Sequence, residues 1–203
     1  LVSNNNNVYA LDNAGNVWCW GSSYKSPTIV NSNVKDIEAK TNGGYVYYVY
    51  NDNSISRGTS STKLNFKDID KLIVGPSDYF MAIKTDGTLW YGTIYNGLEK
   101  IGTFNNVVDG FVGNSESAYL LTEQGYLYYI NTDGTTELLD GIEKVNKIIP
   151  TSTSEYFHVE SNGETYKVTS SNKEVVRHDF ENANYSTYKE VVSFDYDQYA
   201  FIN

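Results

Sequence analysis

The chain has 203 residues, with 15 Lys plus Arg against 25 Asp plus Glu and a formal net charge of −10 at pH 7. That length can bury a proper core as one large β domain. The acidity, which no cluster of Lys or Arg interrupts, argues against nucleic acid and against anionic membranes, because displacing counterions from phosphate takes a basic stripe. One cysteine, Cys19, excludes an internal disulfide framework. No apolar run reaches membrane length, so membrane insertion is not expected. No signal peptide is present either, although a chain starting inside a repeat allows for one upstream.

In chain order, five turns organise the sequence. They are predicted at Ala14-Gly15, Asp52-Asn53, Asp86-Gly87, Gln124-Gly125 and Asn162-Gly163. Each parts two runs of alternating apolar residues and ends in Gly or Asn, which tolerate left-handed φ. As a two-residue hairpin link, Asp86-Gly87 is expected to take φ > 0 at both positions. The marks at 15, 53, 87, 125 and 163 are spaced 38, 34, 38 and 38 residues apart.

Each repeat reads as three strands. The second supplies 34–39, 45–50 and 54–57, and the third 69–74, 79–85 and 88–91. The fourth supplies 107–112, 118–123 and 126–130, and the fifth 145–149, 156–160 and 164–168. At the start, Leu1-Val2-Ser3 aligns with Phe111-Val112-Gly113 as the end of a first strand. At the end, 190–194 and 199–203 give a first and second strand with no third, and the second is expected to compete with 8–12 for one place. Helical periodicity is absent. Small sheets at this period, each unable to bury both faces alone, imply an all-β β-propeller of short three-stranded blades. One domain spans 1–203, with five repeats plus partial terminal strands. It is expected to be part of a six- or seven-bladed ring or to form an open arc.

The segments YALDNAGNVWCWG (9–21) and MAIKTDGTLWYG (81–92) resemble the repeat of the regulator of chromosome condensation family. That pattern is an apolar strand, Asp-Gly or similar, an apolar-x-aromatic strand and a closing Trp-Gly. Trp20-Gly21 matches the ending in full, Gly58 and Gly92 keep its glycine, and the last two complete repeats lose both residues. The short repeat is similar to compact bacterial members, among them the propeller-type β-lactamase inhibitory proteins. The resemblance implies a propeller; relatives act as exchange factors, inhibitors, lectin-like binders and adhesion modules.

Catalytic constellations are sparse. His158 and Glu160 are two residues apart and so share one face of a strand. His158 stands, by distance from the turn, where Ala82 and Leu120 stand, and reads as a histidine buried between blades. His178-Asp179 reads as a turn cap, and Cys19, between Trp18 and Trp20, as a buried inert thiol. No serine lies in a Gly-x-Ser-x-Gly elbow. Asn-Asp-Asn-Ser (51–54) and Asn-Thr-Asp-Gly (131–134) resemble the opening of a calcium loop but lack the twelfth-position glutamate, so they read as turns. GYLYYINTDG (125–134) looks like one piece of a clostridial carbohydrate-binding repeat, at the wrong period. Neither a catalytic residue, a metal nor a cofactor is expected.

A binding surface remains. If the turns occupy one rim, the loops from first to second strand and the connections between three-stranded blades occupy the other. Candidate partner-binding residues there are Tyr24, Tyr45, Asp78, Tyr95, Phe104, Glu116, Glu155, Asp195 and Asp197. Aromatic anchors among short polar residues and carboxylates suit protein recognition, and the carboxylates favour a basic or donor-rich partner. The bland alternative is that these loops are merely hydrophilic and the aromatics fold over blade edges. Trp18, Trp90, Tyr128 and Tyr166 hold equivalent strand positions and are assigned to packing between blades. The expected function is non-catalytic protein binding; the alternatives are lectin-like carbohydrate binding and enzyme inhibition. Abundant Tyr, Asn and Ser suggest a secreted or surface protein of a bacterium.

Overall fold

A second strand such as Tyr79-Phe80-Met81-Ala82-Ile83 is apolar at consecutive positions, so both of its faces need cover. The computed structural model describes all residues except 5, 40–43, 59–62, 65, 76–78, 94–96, 105, 114–116, 132, 152, 154, 179–189, 196–197 and 203, with backbone alone at 63 and 190–202. Blade 1 is β1 (Val2–Ser3), β2 (Asn7–Leu11), β3 (Val17–Gly21) and β4 (Thr28–Asn31). Blade 2 is β5 (Val34–Ala39), β6 (Val46–Tyr50), β7 (Ile55–Arg57) and β8 (Lys63–Leu64). Blade 3 is β9 (Ile69–Val74), β10 (Tyr79–Lys84), β11 (Thr88–Thr93) and β12 (Gly97–Thr103). Blade 4 is β13 (Val107–Val112), β14 (Ala118–Thr122), β15 (Leu127–Ile130) and β16 (Thr136–Leu138). Blade 5 is β17 (Val145–Ile149), β18 (Tyr156–Ser161), β19 (Glu164–Thr169) and β20 (Val175–Arg177). A last sheet pairs β21 (Glu190–Asp195) with β22 (Gln198–Ile202).

Every blade is an antiparallel meander, so the chain is an all-β propeller arc whose ring is not closed. The expected three strands per blade are corrected to four. The outer strands β4, β8, β16 and β20 are two to four residues long, too short for alternation to announce them, and the seven-residue β12 runs as half-buried and exposed pairs instead of alternating. Blade 1 is complete from its own strands, so β22 and β2 do not compete. First strands touch in succession, β1 with β5, β5 with β9, β9 with β13 and β13 with β17, which sets them nearest the axis.

The turns differ from expectation in an instructive way. In blades 1 to 4 the loop between second and third strands has three residues, closed by Gly15, Asn53, Gly87 or Gly125 at φ 81°, 61°, 76° and 84°. Asp86 is not left-handed, so this hairpin is a turn followed by one left-handed residue rather than the two-residue type. Its carboxylate accepts the Thr88 amide at 3.0 Å and hydroxyl at 2.6 Å. Asp133 does the same for Thr135, so the described part of the calcium-like segment there, 133–134, is a turn. Only blade 5 has the two-residue link, with Asn162 at φ 54°, Gly163 at φ 79° and Ser161 opposite Glu164.

Four apolar layers hold the arc. Val17, with Tyr9 and Leu11 beside it, meets Val34, Ile37, Val46 and Tyr48 between blades 1 and 2. Tyr47, Val49 and Ile55 meet Leu72, Phe80 and Ala82 between blades 2 and 3. Met81, Ile83 and Leu89 meet Val112, Ala118 and Leu120 between blades 3 and 4. Tyr119, Leu121 and Leu127 meet Ile148, Phe157, Val159 and Val168 between blades 4 and 5. A fully buried side chain of this size contributes roughly 1.5–3 kcal/mol. Gly110 of β13 sits within the third layer, where a Cβ would overlap Met81 Cε and lie 2.8 Å from the Tyr119 carbonyl. Gly110→Ala is therefore expected to cost about 1–3 kcal/mol, lowering the thermal midpoint by roughly 2–10 °C in a melt followed by circular dichroism.

Candidate functional site

The fourth strand decides which loops share a rim. The linkers between blades join the hairpin turns: Gly15 O accepts Val34 N (3.0 Å), Asn53 O accepts Ile69 N (3.2 Å), Gly87 O accepts Phe104 N (3.2 Å) and Gly125 O accepts Val145 N (2.9 Å). The opposite rim is made of the first-to-second and third-to-fourth strand loops. Ser22 N donates to Asn6 O at 2.9 Å, and Ser23 N to Asn7 Oδ1 at 3.0 Å, tying the two loops of blade 1 together. Gly21, at φ 137°, closes against that same Asn6 carbonyl, where no Cβ fits. Asn4 Oδ1 accepts Asn7 N at 3.0 Å, while its Nδ2 donates to Gly44 O at 3.1 Å, fastening blade 1 to blade 2.

Tyr24 and Tyr45 lie on this second rim, in the third-to-fourth strand loop of blade 1 and the first-to-second strand loop of blade 2. Tyr45 is 51% exposed, and the Arg57 guanidinium stands 4.4 Å from its ring centroid. Tyr24 is half-buried; its carbonyl accepts Gly21 N at 2.7 Å. Behind it, burial followed by the Cys19 thiol raises the Tyr9 hydroxyl pKa, and burial raises that of Tyr48. Glu155 is exposed on the same rim at blade 5, its carbonyl accepting Ser170 N at 2.8 Å. Phe104 is corrected to the opposite rim, because its amide bonds the hairpin residue Gly87. Asp195 ends β21 opposite Gln198. Asp78, Tyr95, Glu116 and Asp197 fall outside the described residues. Trp90, Tyr128 and Tyr166 pack against the layers between blades, whereas Trp18, half-buried, belongs to none of the four layers formed by the described residues.

His158 is fully buried and stacks on His178, ring centroids 4.7 Å apart, with Tyr156 at 5.4 Å. It is not equivalent to Ala82 and Leu120 as expected. Those face the preceding blade, but in β18 that face belongs to Phe157 and Val159. The blade 5 turn is one residue shorter, and a shift of one residue turns every side chain over. Among the described residues, no group of three or more His, Cys, Asp or Glu is placed to hold a metal ion.

A charged belt on the first strands was missed from sequence. Each of β5, β9, β13 and β17 carries a one-residue irregularity in its pairing, at Lys35, Asp70, Val108 and Asn146. Lys35 Nζ reaches Asp70 at 3.3 Å and Asn53 at 2.8 Å; Lys71 Nζ reaches Asp109 at 3.1 Å and the Val108 carbonyl. The signal was present as Lys35-Asp36, Asp70-Lys71, Val108-Asp109 and Asn146-Lys147 at one offset in four repeats. Burial, then Asp36 and Asp109, push the Glu38 carboxyl well above the ordinary glutamate range, with Lys71 opposing. A carboxyl whose pKa is higher folded than unfolded favours the fold at acid pH, and that contribution is lost as pH rises through the folded value. Glu38→Gln is expected to raise the thermal midpoint at pH 8 and leave it unchanged at pH 4; a variant no more stable at pH 8 would contradict this.

No protein-family model and no curated protein matches the chain. Solved structures do. The WD40 β-propeller domain of Doa1 superposes with TM-score 0.61 at 15% identity, over 87% of this chain and 66% of that one. A chain of the mitotic checkpoint complex gives 0.62 at 13% identity, over 95% and 66%. The WD40 domain of SCAP from fission yeast gives 0.57 at 14% identity, over 89% and 54%. The chain thus spans two thirds or less of the length of these structures. At such identities the likeness concerns fold, and it is the fold of WD40 propellers.

Proposed function

We propose that this chain is a non-catalytic protein-interaction module whose partner sits on the rim built from the first-to-second and third-to-fourth strand loops. The observation that carries the reading is Tyr45, 51% exposed with the Arg57 guanidinium 4.4 Å from its ring centroid, on a rim that also carries Tyr24 and whose loops Asn4 and Asn7 pin. An aromatic ring already held by a cation and by its loop loses little freedom on binding, so more of its contact area becomes affinity. The fold likeness to WD40 domains, one of them solved as part of a complex, is consistent with this use. Glu155 on the same rim, together with the sequence-predicted loop carboxylates Asp78, Glu116, Asp195 and Asp197, would favour a basic or donor-rich partner. We place the protein on the outside of a bacterium, on composition alone. The resemblance to the regulator of chromosome condensation repeat rests on segments 9–21 and 81–92, whose closing glycines are Gly21, the last residue of β3 at φ 137°, and Gly92, within β11 at φ 155°.

The test is capture by the immobilised chain from a bacterial lysate and from a glycan panel, with three variants alongside. Tyr45→Ala and Tyr24→Ala are expected to weaken capture of a protein ~10-fold or more, as interface anchors do, while Phe104→Ala on the other rim leaves it unchanged. Equal loss in all three, or none in the tyrosine variants, would overturn the rim. Capture of a glycan instead, competed by the free sugar, would replace the protein reading with a lectin-like one.

A further inference from the structure

Five hairpin turns join second strands to third strands, and in four of them the main-chain nitrogen of the closing residue is tied. Gly15 N donates to Asp12 O (3.0 Å), Asn53 N to Tyr50 O (2.8 Å), Gly87 N to Lys84 O (2.9 Å) and Gly125 N to Thr122 O (2.9 Å). In three of these turns a carboxylate is tied as well: Asp12 accepts Ala14 N and Trp18 Nε1, Asp52 accepts Ser54 N, and Asp86 accepts Thr88 N. The turn of blade 5 has neither tie. It is the two-residue link Asn162-Gly163, both residues left-handed and both exposed. Among the described residues nothing accepts the Gly163 amide, and the Asn162 carboxamide bonds to no other group. A Cβ added at Gly163 would meet no atom within 4 Å, so the space around this peptide is open to water.

Asparagine before glycine sets a carboxamide carbon next to a main-chain nitrogen that no neighbouring Cβ shields. Losing its proton to water or hydroxide, that nitrogen attacks Cγ; the Cγ–Nδ2 bond breaks, ammonia leaves with a proton, and a cyclic imide closes. Water then opens the imide. Cleavage between nitrogen and Cγ leaves aspartate in an ordinary chain. Cleavage between nitrogen and the main-chain carbonyl carbon leaves isoaspartate, whose chain runs through the side chain and is one carbon longer. In the four tied turns the nitrogen must first leave its acceptor, and no asparagine precedes it. We propose that Asn162 is a covalent modification site, where the Asn162-Gly163 link of blade 5 converts spontaneously into aspartate and isoaspartate. Either product adds a negative charge to a chain of net charge −10, beside the Glu164–Arg177 ion pair (3.2 Å), and isoaspartate lengthens the shortest of the five hairpin links. The site lies on the hairpin rim and stands apart from the function proposed above. Asn42-Gly43 and Asn96-Gly97 share the dipeptide but fall wholly or partly outside the described residues.

Incubation of the 203-residue chain at pH 8, sampled over weeks and followed by mass spectrometry of its separated peptides, tests the site. Aspartate and isoaspartate at position 162 are expected to accumulate together. Asp86→Asn puts the same dipeptide into the three-residue turn of blade 3, where Gly87 N must give up its bond to Lys84 O. Conversion at position 86 is expected to run roughly 2–10-fold slower than at 162, the worth of one such bond. In concentrated urea the two positions are expected to convert at equal rates, which assigns the difference to the fold. Asn162→Gly keeps a sequence that suits a two-residue link and is expected to abolish the charge variant that arises here. An Asn162 that stays intact in the folded chain while the chain in urea converts would overturn the proposal. So would conversion at position 86 of the folded Asp86→Asn chain as fast as at 162.

Discussion

In β10, Phe80 and Ala82 point toward blade 2 while Met81 and Ile83 point toward blade 4, and each pair is dry only because a neighbouring sheet covers it. A small sheet with two apolar faces has no stable isolated form in water, since burial of both faces is what offsets the entropy of ordering it. The arc exists because every seam repeats this arrangement. Cooperativity follows from it, because loosening one blade uncovers two layers. The loops at either end inherit their rigidity from the same seams. A loop such as 22–27 in blade 1 needs few contacts of its own when both strands it joins are held from the side.

The seam also explains why turn length matters more than turn chemistry. A three-residue loop in blades 1 to 4 keeps one parity of side chains, and the two-residue Asn162-Gly163 link in blade 5 reverses it relative to the turn. Blade 5 stays apolar toward blade 4 because Phe157 and Val159 occupy that side. The cost appears on its trailing face, where Tyr156, His158 and Glu160 alternate and two imidazoles stack. Four seams of the arc are aliphatic and aromatic; the trailing face of blade 5 carries a histidine and a glutamate.

Much of this was legible. Strands announced themselves by alternation, and the 38-residue period required radial packing of sheets, so architecture could be read from residues 34–168 before any coordinates. The fourth strand could not: β8 has two residues and β16 three, and the seven residues of β12 run as half-buried and exposed pairs rather than alternating. That one omission moved the linkers to the wrong rim and took Phe104 with them; Tyr45 and Glu155 belong to loops joining strands already recognised, while Tyr24, expected in a connection between blades, lies in the loop before the unrecognised β4. His158 was misjudged for a different reason. Counting from a glycine assumes equal loops, and one residue of difference inverts the answer. The belt of Lys35, Asp70, Lys71 and Asp109 was visible as paired charges but had no meaning until first strands were known to lie side by side.

The two rims are built with unequal freedom. At the hairpin rim, main-chain bonds from Gly15, Asn53, Gly87 and Gly125 enter the next blade's linker, and Asn33, Asp68, Asn106 and Lys144 are held at φ between 53° and 65° before each first strand. Side chains there are constrained to what left-handed backbone accepts. At the opposite rim both kinds of bond occur: in blade 1, Ser22 N to the Asn6 carbonyl beside the side chains of Asn4, Asn7 and Ser23, and in blade 5, Ser170 N and Oγ to the Glu155 carbonyl beside the Tyr119 hydroxyl. The difference lies in what each tie joins: on the hairpin rim it runs from one blade's turn into the linker that starts the next, whereas on the opposite rim most ties join loops of one blade, with Asn4 to Gly44 O as the bond from blade 1 to blade 2.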